Sequence, residues 1–388
     1  MNMITREISK KTLQLAKQYP VVTITGPRQS GKTTLCRMLF KKKKYVSLED
    51  IDERNFAMQD PRGFLNRFPD GAVIDEVQRV PDLLSYIQTI VDKKQKEDFF
   101  ILTGSQQFEL LETISQSLAG RTALIKLLPF TFYEAYGSRK RPPSLDKVIY
   151  TGFYPRIFDK KLNPTEAMSF YINTYVERDL RMLINVKDLS KFEIFLRLCA
   201  GRTGQILNLS SIGNDCGVNH ATIKSWIAVL EASYIVKLLR PYYKNFNKRL
   251  VKSPKLYFLD TGLASFLLDI QNETQLKTHP LKGHLFESFV ISELLKSRFN
   301  VGKTDNLYYF RDNIGNEVDL VCDDGYKINQ MEIKSGQTIS SDFFKGLKYF
   351  SALNKDISHS YLIYGGVESY VREGVKITGW RDIGNIRV

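Results

Sequence analysis

The segment Gly26-Pro27-Arg28-Gln29-Ser30-Gly31-Lys32-Thr33-Thr34 constrains this chain more than any other. It fits G-x-x-x-x-G-K-[ST], the pattern of a loop that cradles phosphate groups. The flanks fit too. Val21 to Thr25 is β-branched throughout and reads as a short buried strand, and Leu35 to Phe40 reads as the first turns of a helix. Strand, glycine-bearing loop and helix N-terminus together aim backbone N–H groups at an anion. On this reading Lys32 reaches the β- and γ-phosphates of a nucleoside triphosphate, and Thr33 ligates Mg²⁺.

A second motif completes the chemistry. Ala72-Val73-Ile74-Asp75-Glu76 is an apolar strand ending in two acids. Asp75 is placed to hold the Mg²⁺ shell, and Glu76 to take a proton from the water that attacks the γ-phosphate. A third strand, Phe99 to Leu102, ends in Thr103-Gly104-Ser105. Thr103 either senses the γ-phosphate or belongs to a simple turn. Arg121 follows the helix-stopping Gly120. It is either a charge that stabilises phosphoryl transfer, within the chain or across a subunit interface, or a surface arginine beside a helix end.

The N-terminal third alternates strands and helices: helix 4–18, strand 45–50, helix 52–68, helix 81–94, helix 105–120 and strand 123–128. That alternation predicts an α/β fold, a parallel sheet with helices on both faces. The basic, proline-bearing stretch Ser138 to Ser144 marks a boundary. The domains expected are 1–140 (phosphate-loop ATPase), 141–203 (helical linker or lid), 204–278 (winged helix) and 279–388 (an α/β domain with a second site).

In the linker, Tyr171, Tyr175 and Arg178 share one face of a helix spanning 164–184. They either close over a nucleotide or pack in a core. Leu209 to Gly217, with a serine cap, and Ala221 to Leu230 read as two helices joined by a glycine turn. The strand 234–239 and the basic hairpin after it suggest a wing. His220, Thr222, Lys224 and Ser225 then face a DNA groove, with Lys244, Lys248 and Arg249 on phosphates. The same module would serve equally for protein packing.

The last third holds an unrelated constellation. Glu287 sits early in a helix, Asp319 interrupts the apolar strand Glu317 to Val321, and Glu332-Ile333-Lys334 lies on the next strand. Strand alternation puts Glu332 and Lys334 on one face. Two carboxylates with a lysine beside them suit a Mg²⁺ site for phosphodiester hydrolysis, with Glu287 completing the metal shell. His284 precedes Glu287 by one helical turn and reads as a helix-end residue or a further ligand.

Charge adds a partner class. There are 56 Lys+Arg against 42 Asp+Glu, a net charge of +14. This favours a polyanion, most simply DNA. No apolar run approaches the ~18 residues of a membrane span, and Met1 to Glu7 shows no apolar signal-peptide core. Cys36, Cys199, Cys216 and Cys322 are scattered and signal neither zinc nor a disulfide framework. A cytoplasmic protein is the plain expectation.

With these residues in view, the chain resembles a family of prokaryotic AAA-superfamily ATPases that join a P-loop domain to a winged helix and a C-terminal restriction-endonuclease-like domain of PD-(D/E)xK type. The matching stretches are Gly26 to Thr33, Val73 to Glu76, Leu102 to Ser105, Ser117 to Arg121, Tyr175 to Asp179, and Glu287, Asp319 and Glu332 to Lys334. Val318 stands where a strict motif has proline. The resemblance implies ATP and Mg²⁺ at the first site, a sensor at Thr103 or Ser105, and Arg121 as a finger. For the second site it implies metal and nucleic acid, with Lys334 assisting. A homo-oligomer fits that picture. The competing expectations are a nucleotide-dependent switch with a silent C-terminal domain, and a signalling ATPase of STAND type.

Overall fold

The computed structural model describes residues 4–105, 117–137, 141–174, 189–243 and 251–387. The chain divides into two compact units. The first comprises residues 1–130 with 232–234 and 299–303, and the second comprises the rest.

The first unit runs α1 (Ser9–Ala16), β1 (Val21–Thr25), α2 (Lys32–Leu39), β2 (Lys44–Ser47), α3 (Ile51–Gln59), α4 (Pro61–Asn66), β3 (Ala72–Asp75), α5 (Leu83–Lys94), β4 (Phe100–Gly104) and β5 (Thr122–Lys126). Its five strands are parallel, in the order β2-β3-β4-β1-β5. The residues of β1, β3 and β4 are all buried, because both faces of the sheet are covered. Val21, Ile74, Phe100 and Leu102 join one core with Phe64, Leu83, Leu84 and Ile87. Val22, Ile24, Val73 and Ile101 join the other with Ile8, Leu35 and Cys36. Alternate residues of each strand thus feed opposite cores, and each fully buried aliphatic side chain contributes about 1.5–3 kcal/mol.

The helix expected over 52–68 is two helices. Asp60 stops α3, and its carboxylate accepts the Gly63 N–H (2.8 Å) to cap α4, which opens on Pro61. Proline at the first helical position lacks only an N–H that would be unpaired anyway. Most of the helix expected over 105–120 lies outside the described residues.

The second unit begins with α6 (Phe132–Tyr136), α7 (Leu145–Thr151), α8 (Pro155–Lys160), α9 (Pro164–Tyr171) and α10 (Leu189–Gly201). It continues with β6 (Gln205–Ile206), α11 (Leu209–Cys216), α12 (His220–Ala232), β7 (Val236–Pro241), β8 (Lys255–Phe258), α13 (Thr261–Leu267) and α14 (Lys282–Asn300). It ends with β9 (Leu307–Arg311), β10 (Glu317–Asp323), β11 (Ile328–Lys334), α15 (Lys345–Leu353), β12 (Ile357–Tyr364), β13 (Tyr370–Arg372) and β14 (Val375–Gly379). One nine-stranded sheet, ordered β13-β14-β12-β11-β10-β9-β7-β8-β6, runs through these elements. The parallel pairing of Arg240 with Tyr308 and Pro241 with Tyr309 joins β7 to β9. The helix-pair region and the C-terminal strands therefore share one continuous sheet.

The α11–α12 pair turns at Gly217 (φ 64°), a left-handed position that suits glycine. Its cap is Asn208, whose carbonyl accepts the Ser211 N–H (3.0 Å), and not a serine as expected. Elsewhere in this unit Asp260 accepts N–H groups of both Leu263 (2.9 Å) and Phe153 (2.7 Å). It caps α13 and pins the loop after α7 at once.

Candidate functional site

The parallel strands β1, β3 and β4 deliver their functional residues to one end of the sheet, beyond their C-termini. This is where open α/β sheets hold ligands. β1 runs into Gly26, where an added Cβ would sit 2.0 Å from the Leu127 carbonyl oxygen, so only glycine lets the loop start there. Gly31 (φ 93°) then opens α2. Arg6 braces the loop from behind, donating to the carbonyls of Ser30 (2.8 Å) and Leu128 (2.7 Å).

Lys32 is buried, and its ammonium donates to the Gly26 (3.0 Å) and Pro27 (2.9 Å) carbonyls at the loop itself. Burial pulls its pKa down, while Glu76 and Asp75 oppose that. Thr33 Oγ1 donates to Asp75 Oδ2 at 2.7 Å, and Tyr45 O–H donates to the same oxygen at 2.6 Å. Thr103 Oγ1 donates to Asp75 Oδ1 and accepts the Glu76 N–H (3.3 Å). The Asp75 carboxylate is thus held by three hydroxyls from three different strand or helix ends. Burial, then the bond to Asp75, pushes the Tyr45 phenol up to about 12. The Arg37 guanidinium lies 4.0 Å over its ring.

Glu76 adopts a left-handed backbone (φ 56°, ψ 46°) that costs a non-glycine residue strain. The turn it starts, Val77–Arg79, brings Gln78 back toward the Glu76 carboxylate. Oε2 of Glu76 accepts from Ser105 Oγ (2.9 Å) and from Gln78 Nε2. The structure therefore assembles Lys32, Thr33, Asp75, Glu76 and Thr103. It adds Tyr45, Gln78, Ser105 and Arg6, of which the motifs marked only Ser105. A hydroxyl and a carboxylate converging within 2.7 Å offer oxygen donors alone, which fits Mg²⁺ with water completing its shell.

Arg121 lies elsewhere. It precedes β5 and is level with Val21, the first residue of β1, whose N–H donates to its carbonyl (3.2 Å). That is the end of the sheet opposite the loop, roughly 15 Å away at ~3.3 Å per residue. Its guanidinium grips Asp92 with two bonds (2.5 and 2.9 Å). A finger acting within its own chain does not fit this position.

In the second unit, β10 and β11 pair antiparallel with Leu320 opposite Met331, which sets Asp319 beside Glu332. The β9–β10 register shifts between Val318 and Val321, a bulge around Asp319. Lys334 Nζ bridges the two carboxylates, 3.0 Å from Asp319 and 2.6 Å from Glu332. Burial, then the Asp319 charge, pushes the Glu332 carboxyl up to about 8. Burial opposes the Lys334 ammonium, but Asp319 and Glu332 outweigh it and hold its pKa high.

Glu287 is bonded elsewhere, accepting the Tyr257 O–H (3.0 Å), with His284 Nδ1 at 3.6 Å. Lys255, buried on β8, pairs with Glu317, which Arg311 also reaches (3.1 Å). Among the described residues, no three His, Cys, Asp or Glu side chains form a metal cage. Within this cluster the Asp319–Glu332 pair fits a hard cation: among the described residues Oε2 of Glu332 is buried without a hydrogen-bond partner, and Lys334 already holds a positive charge between the two.

His220, Lys224 and Ser225 are exposed on α12, whereas Thr222 is half-buried and bonds Asn219 (2.9 Å). Tyr171 is buried and bonded to Tyr154 (2.9 Å) within the second unit. Tyr175, Glu177, Arg178 and Asp179, and the wing residues Lys244, Lys248 and Arg249, lie outside the described residues.

Two relatives, uncharacterized proteins of Mycobacterium tuberculosis and Mycobacterium bovis, are each 30% identical over 340 residues, covering 86% of this chain and 75% of theirs. The chain belongs to their family. Residues 18–136 match a family model described as an AAA domain, so this chain carries an AAA-type P-loop ATPase domain. Two further models, each described as a domain of unknown function (DUF8612 and DUF4143), match 142–274 and 282–383.

Among solved structures, the Walker-type ATPase of Pyrococcus abyssi is 13% identical (TM-score 0.45, 68% of this chain and 96% of that one). The RuvB Holliday junction branch migration motor of Thermotoga maritima is 17% identical (TM-score 0.31, 61% and 90%). No described helix is long and apolar enough to cross a membrane.

Proposed function

We propose that this protein binds ATP with Mg²⁺ and hydrolyses it. The observation that carries this reading is the 2.7 Å contact of Thr33 with Asp75 beside the buried Lys32. Residues 26–34 cradle the phosphates through backbone N–H groups, and Lys32 exchanges its two loop carbonyls for phosphate oxygens. Thr33 and Asp75 hold the Mg²⁺, which neutralises charge on the β- and γ-phosphates. Glu76 takes the proton of the attacking water. Thr103, bonded to Asp75 and to the Glu76 backbone, couples the two acids. Arg121 reaches the phosphates of a neighbouring copy in a homo-oligomer. The test is phosphate release from ATP with Mg²⁺ present or chelated. Release must depend on the metal.

The C-terminal cluster favours a second activity on a nucleic acid. Asp319 and Glu332 would hold one Mg²⁺ once Lys334 swings aside, and the metal would lower the pKa of a bound water. The net charge of +14 and the exposed His220, Lys224 and Ser225 support DNA as the partner. The domains then follow the order ATPase, helical linker, winged helix and nuclease-like module. Cleavage of duplex, single-stranded and branched DNA by wild type but not by Asp319→Ala tests this. No cleavage of any substrate leaves a nucleotide switch with a silent C-terminal module.

A further inference from the structure

Gln78 is not part of either phosphate-site motif. It sits three residues after Asp75, in the turn that the left-handed backbone of Glu76 creates, and is only 7% exposed. Its Nε2 donates to Glu76 Oε2 and lies 3.4 Å from Ser105 Oγ, which fixes the orientation of the carboxamide. Its carbonyl, Oε1, is then a buried acceptor with no hydrogen-bond partner among the described residues. Such a group calls for a water or ligand that donates to it.

We infer that Gln78 is a catalytic residue that holds the attacking water together with Glu76. The inference rests on the ATPase reading above. A water has two protons, and its lone pair faces the phosphorus only when both are directed. Among the described residues, Ser105 and Gln78 engage Oε2 of the Glu76 carboxylate, which leaves Oε1 to receive one proton. Gln78 Oε1 accepts the other O–H and keeps it. The water oxygen bonds to the γ-phosphorus, the bond from that phosphorus to the β–γ bridging oxygen breaks, and ADP leaves with that electron pair. The proton goes to Glu76, and the second hydrogen stays on the product phosphate. Positioning the nucleophile in this way is the general requirement of phosphoryl transfer to water.

The experiment compares wild type, Gln78→Ala, Gln78→Met and Lys32→Ala in full-length protein. Four quantities are read: kcat for ATP, affinity for a fluorescent ATP analogue, retention of ADP with aluminium fluoride, and Tm. Gln78→Met fills the same volume without the carbonyl, so it keeps the question answerable if Gln78→Ala folds poorly.

The expected result is a loss of at least about tenfold in kcat in both Gln78 variants. ATP-analogue affinity should stay within about twofold, whereas retention of the ADP–fluoride complex is lost, because only that complex mimics the water-bound transition state. A purely structural glutamine would move affinity and Tm along with kcat. Turnover by Gln78→Met within about twofold of wild type overturns the inference while leaving the ATPase reading intact. Wild-type turnover no higher than that of Lys32→Ala overturns both.

Discussion

Thr33 and Asp75 stand on different elements, α2 and β3, yet the Thr33 hydroxyl donates to the Asp75 carboxylate at 2.7 Å. The loop and the acidic strand are separated in the sheet by β4, so this contact spans the crevice between them. Two sequence motifs become one site through it, and it fixes which residues matter nearby.

Tyr45 is one of them. Its O–H shares Asp75 Oδ2 with Thr33. Tyr45→Phe should raise the Mg²⁺ concentration needed for half-maximal ATP turnover several-fold. It should cost about 1.5–3 kcal/mol of stability, the usual worth of a hydrogen bond to a charged group. A Mg²⁺ titration beside urea unfolding checks both.

Arg121 makes its bidentate pair with Asp92 on the surface. Arg121→Ala should leave Tm nearly unchanged, since exposed pairs contribute little. If it serves a neighbouring copy, wild-type turnover per chain should rise with protein concentration and the variant should lack that rise. A concentration series of phosphate release decides it.

Asp260 carries a helix cap and the Phe153 N–H together. Asp260→Ala should cost about 2–4 kcal/mol, from a lost cap and a buried donor left unpaired. Burial holds the carboxyl above its ordinary value despite those bonds. The folded chain therefore binds this proton more tightly than the unfolded chain. Its contribution is complete below the ordinary carboxylate pKa and is lost as pH rises through the folded value. Asp260→Asn should flatten that part of the stability–pH curve, measured by urea unfolding across the acidic range.

Lys255 is buried against Glu317, with Asp319 and Glu287 near enough to raise its pKa against burial. Lys255→Met removes the counter-charge and leaves carboxylates buried. The expected loss is about 3–5 kcal/mol, read as a lower urea midpoint.

Much of the first unit was legible because its information is local. A β-branched run marks β1, two glycines mark the loop, and paired acids end β3. The break between α3 and α4 was also local, at Asp60-Pro61, but the expectation of one helix over 52–68 passed over it. The cap Asn208 stands just before the stretch whose serines suggested a serine cap. Other parts had no local signal. Tyr45 meets Asp75 across 30 positions through the pairing of β2 with β3, and Lys255 meets Glu317 across 62 although β7 and β9 lie between their strands, so neither contact follows from spacing. Gln78 follows the Asp-Glu motif closely, but only the positive φ of Glu76 turns it back to that carboxylate. For Arg121 the sequence left a finger and a surface arginine both open, and only the parallel pairing of β1 with β5 sets it at the end of the sheet away from the loop.

The most direct measurement is ATP turnover alongside nucleotide affinity for wild type, Lys32→Ala and Glu76→Gln. The account predicts that Lys32→Ala loses turnover entirely and that Glu76→Gln keeps wild-type affinity while hydrolysing ATP at least about a hundredfold more slowly. Wild-type turnover in both variants would contradict the assignment of this site.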